Sequence, residues 1–275
     1  MVSRMSQPLD AADLAHRWAG PADAPTLVLL HGLGDSGDCW PDAVRRWSPT
    51  WRVVGVDLLG HGRSPRFTAE QLASPDPMEA MYAAAEAIVG RTVAATGGPV
   101  LLVSHSMGGG IAGALASRRP DLVRAAVLEE PAWRDPEQRV QPRKVVEDRI
   151  AECRAFAADP AGQRAKGKAD NPTWPDVELD PWTESKAQVD LDFLALGIAN
   201  LLERWDDIVR RITVPTLAVR GSESTLITTE IADRALALGN PHLELVTIDD
   251  ANHCVRRDQP DVYHALVDTW LVSHA

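Results

Sequence analysis

The 275-residue chain, 45% hydrophobic and 24% charged, suits one large globular domain or a domain carrying an insertion. Disorder and collagen-like repetition are excluded. With 39 acidic against 28 basic residues its net charge is −11, which argues against nucleic acid or an anionic membrane as partner, since neutralising phosphates takes a basic face.

Cys39, Cys153 and Cys254 are far apart, odd in number and form no CxxC pair. Neither a zinc site nor a disulfide framework is expected, and a reducing cytoplasm is the simplest location. The first residues show no apolar core of signal-peptide type, and every apolar run falls short of the ~20 residues that span a bilayer.

A short strand is expected near His16–Ala19, before the first unbroken apolar run, Thr26–Leu30, which ends at His31-Gly32. The run at 51–57 also reads as a buried strand. The Ala-rich stretch 78–96 has helical spacing and stops at Gly97-Gly98. A third run at 99–103 leads into a helix over 111–119, which Pro120 ends. The fourth, at 123–128, runs into Glu129-Glu130-Pro131.

From 132 to 207 the pattern changes. Amphipathic stretches at 143–157 and 184–196 flank a Pro-rich loop, DNPTWPDVELDPW (170–182). Strands return at 214–219 and Leu243–Ile248, followed by helices over 229–238 and Pro260–Ser273. Apolar strands alternating with helices predict an α/β fold: a mostly parallel sheet with helices on both faces. The expected organisation is a core of 1–131 and 208–275 with a helical cap inserted at 132–207.

In such sheets sites form at the carboxyl ends of strands. The third run ends in Ser104-His105-Ser106-Met107-Gly108-Gly109. A serine flanked by small residues on a sharp strand-to-helix turn is a nucleophile elbow. The free N–H groups of the following helix suit a developing oxyanion. No GxGxxG or GxxxxGK[ST] is present, which weakens a nucleotide-binding reading.

The turn His31-Gly32-Leu33-Gly34 can offer the Leu33 N–H to the same oxyanion, with the Met107 N–H as second donor and Gly32 against the substrate. His253, in the loop after the last strand, stands where a general base would sit. His31, His61 and His105 read as structural.

The pieces HGLG (31–34), DLLGHGRS (57–64), SHSMGG (104–109), VPTLAVRG (214–221) and ANH (251–253) together resemble the α/β-hydrolase fold family, in its order and at its spacing. The likeness covers nearly the whole chain except 132–207. It implies a serine hydrolase with triad order nucleophile, acid, base, so Ser106 first and His253 last.

The chain departs from the family at the acid. The usual Asp after VPTLAVRG is replaced by Ser224 or Thr225, and Glu223 is the only carboxylate there. Haloalkane dehalogenases and fungal zearalenone lactonases carry the acid one strand earlier. Aligned without gaps through RRPDLVRAAVL, their Glu falls on Glu130, with Glu129 and Glu223 as alternatives. The acid fixes the histidine tautomer and stabilises the imidazolium.

A serine rather than Asp nucleophile points to an acyl-enzyme, hence to an ester or lactone substrate. Trp133, Trp174, Trp182 and Trp205 lie in the insertion. They either hold a small cap together or line an apolar pocket; the second reading makes Trp133, Trp174 and Trp182 substrate contacts and suits a substrate with an apolar or aromatic part. The serine nucleophile combined with the displaced Glu resembles the zearalenone lactonases in layout, which implies a macrolactone such as zearalenone as a narrower alternative to an ordinary carboxylic ester. Cys39 and Trp40 could also face the site, whereas Cys254 packs. The other functions open to the fold are hydrolysis of a diketone carbon–carbon bond and binding with little turnover. No metal or organic cofactor is implied, since no HxH, HExxH or Cys cluster has ligand spacing. Whether the chain is a monomer or a homodimer stays open.

Overall fold

A computed structural model describes residues 13–275. The strands are β1 (His16–Ala19), β2 (Thr26–Leu30), β3 (Arg52–Val56), β4 (Val100–His105), β5 (Val123–Glu129), β6 (Thr216–Gly221) and β7 (Leu243–Ile248). They form one sheet in the order β1-β3-β2-β4-β5-β6-β7. β1 runs antiparallel to β3, and every other pairing is parallel.

The central strands are apolar throughout because both faces of the sheet are covered. Val28, Leu30, Leu102, Ala126 and Leu128 pack with the helices Pro77–Thr96 and Met107–Arg118. The alternate residues Leu27, Leu29, Leu101, Val103 and Val127 face Trp40, Trp47, Tyr263 and Leu271 on the other side. Parallel register levels the carboxyl ends. His105 pairs with Glu129, and Glu129 with Val219. The next residues, Ser106 and Glu130, therefore emerge along one edge of the sheet.

Gly97 ends the helix Pro77–Thr96 at φ 81, a left-handed position that costs glycine little. Between β5 and β6 lie the helices Arg143–Ala158, Pro160–Asp170, Asp176–Lys186 and Leu191–Leu194. A further helix, Trp205–Arg211, runs across residue 207, where the insertion was expected to end.

Two expectations for this region need correction. The Pro-rich stretch is largely helix, not loop: Asp176–Lys186 is helical with Pro181 inside it. Pro181 forfeits one backbone bond, but its would-be acceptor is the carbonyl of Val177, a half-exposed residue. Burial of Leu179 and the bond from the Thr183 hydroxyl to the Leu179 carbonyl offset that loss. The stretch 184–196 is not one amphipathic element. The helix stops at Lys186, and Asp190 caps a new turn by accepting from the Asp192 and Phe193 N–H groups.

Among the described residues no helix is long and apolar enough to cross a membrane.

Candidate active site

Ser106 connects β4 to the helix Met107–Arg118 with φ 53 and ψ −113, a strained backbone for a residue with a Cβ. The strain projects its side chain off the end of the sheet. Tight packing holds the turn. A Cβ on Gly108 would come within 2.3 Å of the Leu30 carbonyl, and one on Gly109 within 2.8 Å of Pro131. Ser104 takes the place of the motif's first glycine, and its buried hydroxyl donates to the Val127 carbonyl at 2.8 Å.

The loop after β7 brings His253 to Ser106, with Nε2 3.0 Å from the serine Oγ. His105 anchors that loop through its own Nε2, 2.9 Å from the His253 carbonyl oxygen. On the far side of the imidazole, His253 Nδ1 lies 3.4 Å from Glu130 Oε2. Glu130 is fully buried at the end of β5, itself at a left-handed φ of 46. The Gly221 N–H donates to its Oε1 at 2.9 Å, and the Ser224 hydroxyl donates to Oε2.

The three carboxylates considered from sequence have different surroundings. Glu129, also fully buried, points away from His253 and holds Arg256 through both its side-chain and backbone N–H groups at 2.8 Å. Glu223 is exposed, and its side chain has no partner among the described residues. Glu130 alone stands beside the imidazole. Ser224, where the family pattern places Asp, braces that glutamate; its oxygen also accepts from the Leu226 and Ile227 N–H groups at 3.1 Å.

Next to Ser106, with Met107 following it in the chain and Leu33 lining the same cavity, neither the Leu33 nor the Met107 N–H donates to another group among the described residues. Gly32 backs the same spot: a Cβ there would lie 2.7 Å from His105 Nδ1 and 3.2 Å from Ser106 Cβ. A hydroxyl bonded to an imidazole, the imidazole to a buried carboxylate, and free amides beside the hydroxyl are the parts that acyl transfer requires.

Ser106 and His253 open into a cavity of about 330 Å³. Of the tryptophans expected to touch substrate, Trp182 lines it. Trp133 and Trp174 do not. Trp133 is buried in a stack on Trp205, ring centroids 5.1 Å apart. Trp174 is held elsewhere, its indole N–H donating to Asp258 at 2.7 Å. Cys39 and Trp40 are also away from the cavity; Trp40 is buried beneath the Arg256 guanidinium. Cys254 does line it, where its partly enclosed setting pushes the thiol up to about 11 and so favours the protonated form.

A buried charge network escaped the sequence reading. Asp35, one residue past HGLG, pairs with Lys186 at 2.6 Å and Arg257 at 3.0 Å. Arg257 also pairs with Glu178 at 3.0 Å. Lys186 and Ser185 both donate to the Gly34 carbonyl at 2.9 Å. The end of the helix Asp176–Lys186 is thereby fastened to the turn that carries the Leu33 N–H. Burial pushes the Asp35 carboxyl up, yet Arg257, Lys186 and Arg256 together hold it well below the usual range. The Arg256-Arg257 pair and the lone Asp after the glycine turn were the available signals, but sequence does not say which charges meet.

His31 braces the turn as a neutral ring. Its Nε2 accepts from the Leu58 N–H at 2.9 Å, so Nδ1 carries the proton and donates to the Gly32 carbonyl at 2.8 Å. Burial lowers His31 to about 4, His61 to about 3 and His264 to about 4. An unfolded histidine takes up its proton near 6.5, so on acidification the unfolded chain binds protons first. The fold should keep this stability above pH 6.5 and lose it as the pH falls toward 4, each ring contributing up to about 1.4 kcal/mol per pH unit. Urea midpoints measured from pH 7 to 4.5 should fall steeply, less so in His61→Leu; a flat profile would contradict the neutral-ring assignment.

The alpha/beta hydrolase family model matches residues 27–266. The chain belongs to the alpha/beta hydrolase family. A curated relative is Lipase LipV of Mycobacterium tuberculosis, 30% identical over 93% of this chain and 96% of its own. Among solved structures of this alpha/beta hydrolase fold, a putative aryl esterase from Burkholderia cenocepacia superposes with a TM-score of 0.73 at 21% identity, covering 95% of this chain and 94% of that one. Esterase RhEst1 from a Rhodococcus species gives 0.71 at 20% identity, over 97% of each chain. The family and the lipase relative support hydrolysis as this chain's general chemistry.

Proposed function

We propose that this alpha/beta hydrolase cleaves carboxylic esters, lactones included, through an acyl-enzyme on Ser106. The observation that carries the reading is the meeting of Ser106, His253 and Glu130 from the ends of three different strands, with hydroxyl and imidazole 3.0 Å apart. His253 takes the Ser106 proton as Oγ attacks the ester carbon. The oxyanion forms between the Leu33 and Met107 N–H groups, which carry no other bond among the described residues. His253 then protonates the departing alkoxide, and water activated by the same ring releases the acid. Glu130 keeps the ring in the tautomer that leaves Nε2 facing the serine.

The expectation of an apolar or aromatic substrate rested on tryptophans over the site, and of those three Trp182 alone is at the cavity wall. The macrolactone expectation rested on the serine nucleophile combined with the displaced Glu, and neither is carried forward.

Titration of the folded protein with a fluorophosphonate should label one residue, Ser106, in step with loss of para-nitrophenyl butyrate hydrolysis, and Ser106→Ala should abolish both. Folded protein that neither labels nor hydrolyses the ester would overturn the proposal.

A further inference from the structure

The cavity next to Ser106 is cationic, although the chain as a whole is acidic. Arg134, Arg149, Lys186 and Arg257 line it, with Asp35 as the one acidic side chain. Lys186 and Arg257 are already neutralised by Asp35 and Glu178. Arg134 and Arg149 are not. Neither forms an ion pair among the described residues. The one side-chain bond of Arg149 there is to the Gln141 carboxamide oxygen, at 3.2 Å.

The two guanidiniums are close enough to repel one another. Burial pushes the Arg134 pKa down, and the Arg149 charge pushes it the same way. A guanidinium keeps its charge at any working pH. Two part-buried like charges facing one cavity without a counter-ion are costly, and an anion entering that cavity removes the cost.

We infer that Arg134 and Arg149 bind a carboxylate of the substrate, making the enzyme selective for esters or lactones that carry a free carboxylate group besides the bond cleaved at Ser106. The fork geometry of a guanidinium matches a carboxylate with two parallel bonds. The lining places this anion site and the serine in one cavity, so a single small molecule reaches both. This inference rests on the ester-hydrolase reading above, and its test is arranged so that the two can fail separately.

Two matched ester pairs test it. With the charge on the acyl side, the para-nitrophenyl monoester of succinic acid is compared with para-nitrophenyl butyrate. With the charge on the leaving group, para-acetoxybenzoate is compared with phenyl acetate. At low ionic strength the wild type should prefer the anionic member of at least one pair in kcat/KM. Arg134→Gln and Arg149→Gln should each lower that anionic-to-neutral ratio by about 10- to 100-fold, and Arg149→Lys by less.

Glutarate should bind the Ser106→Ala protein calorimetrically and lose that binding in Ser106→Ala/Arg149→Gln, a readout that needs no turnover. Hydrolysis of the neutral esters without preference in either pair, or a preference that survives both arginine variants, would overturn the carboxylate site and leave the ester-hydrolase reading standing. Absence of both hydrolysis and fluorophosphonate labelling would overturn that underlying reading instead.

Discussion

Glu130→Gln should lower kcat by about 10⁴-fold with little change in KM, because an amide in that place permits the wrong imidazole tautomer. The loss should be read on para-nitrophenyl butyrate, with the urea midpoint confirming a folded variant. Glu223→Gln should change kcat less than twofold, since that side chain is exposed and has no partner among the described residues. Ser224 adds a sharper arm. Its hydroxyl lies against Glu130 Oε2, and Oε2 faces His253 Nδ1 at 3.4 Å. A carboxylate at 224 would therefore stand close to the position that Glu130 vacates. Glu130→Gln combined with Ser224→Asp should recover at least about tenfold of the lost kcat, a fraction of what an orienting carboxylate contributes. A full-strength Glu130→Gln enzyme would remove Glu130 from the site.

Asp35→Asn should produce the largest loss of stability among single polar substitutions near the cavity, about 3–5 kcal/mol. Its side chain is 5% exposed and pairs with Lys186 and Arg257, whose side chains are themselves 14% and 1% exposed. Taking away its charge leaves cations in a poorly solvated place. The melting temperature should fall by on the order of 10 °C. The exposed pair Lys144–Asp148 is the control, with side chains 79% and 62% exposed. Asp148→Asn should cost less than about 0.5 kcal/mol. Residual activity of Asp35→Asn should fall too, because Lys186 would lose the contact that keeps it over the Gly34 carbonyl. Equal melting temperatures for the two variants would show that the buried network adds nothing.

The sheet was legible because its central strands are apolar on both faces, a pattern that survives without tertiary knowledge. The weak antiparallel β1 was legible at His16–Ala19, since little chain precedes β2. The serine turn could be read from Gly108 and Gly109, whose missing side chains leave room for Leu30 and Pro131. His253 stood out by its place after the last strand, taken together with the serine turn and the HGLG loop. The insertion was harder to read. Helix Pro160–Asp170 is polar on most of its surface, Trp205–Arg211 lasts only two turns, and Pro181 masks a helix stabilised by burial of Leu179. The tryptophans misled for a related reason: aromatic content says that a segment packs, not what it packs against. Charge partners such as Asp35 with Arg257 are separated by more than two hundred residues, and only the folded chain brings them together.

If, as proposed, the acid is Glu130 at the end of β5, there is a consequence for the loop behind β6. In the usual family plan that loop must hold a carboxylate in place, which restricts what its sequence can become. Here Ser224 needs only to keep its hydroxyl on Glu130, while the next two residues, Thr225 and Leu226, form part of the cavity wall. Substitutions at 225 and 226 can thus retune which molecules fit without touching the proton-transfer machinery, making this short segment a natural place for substrate range to diverge.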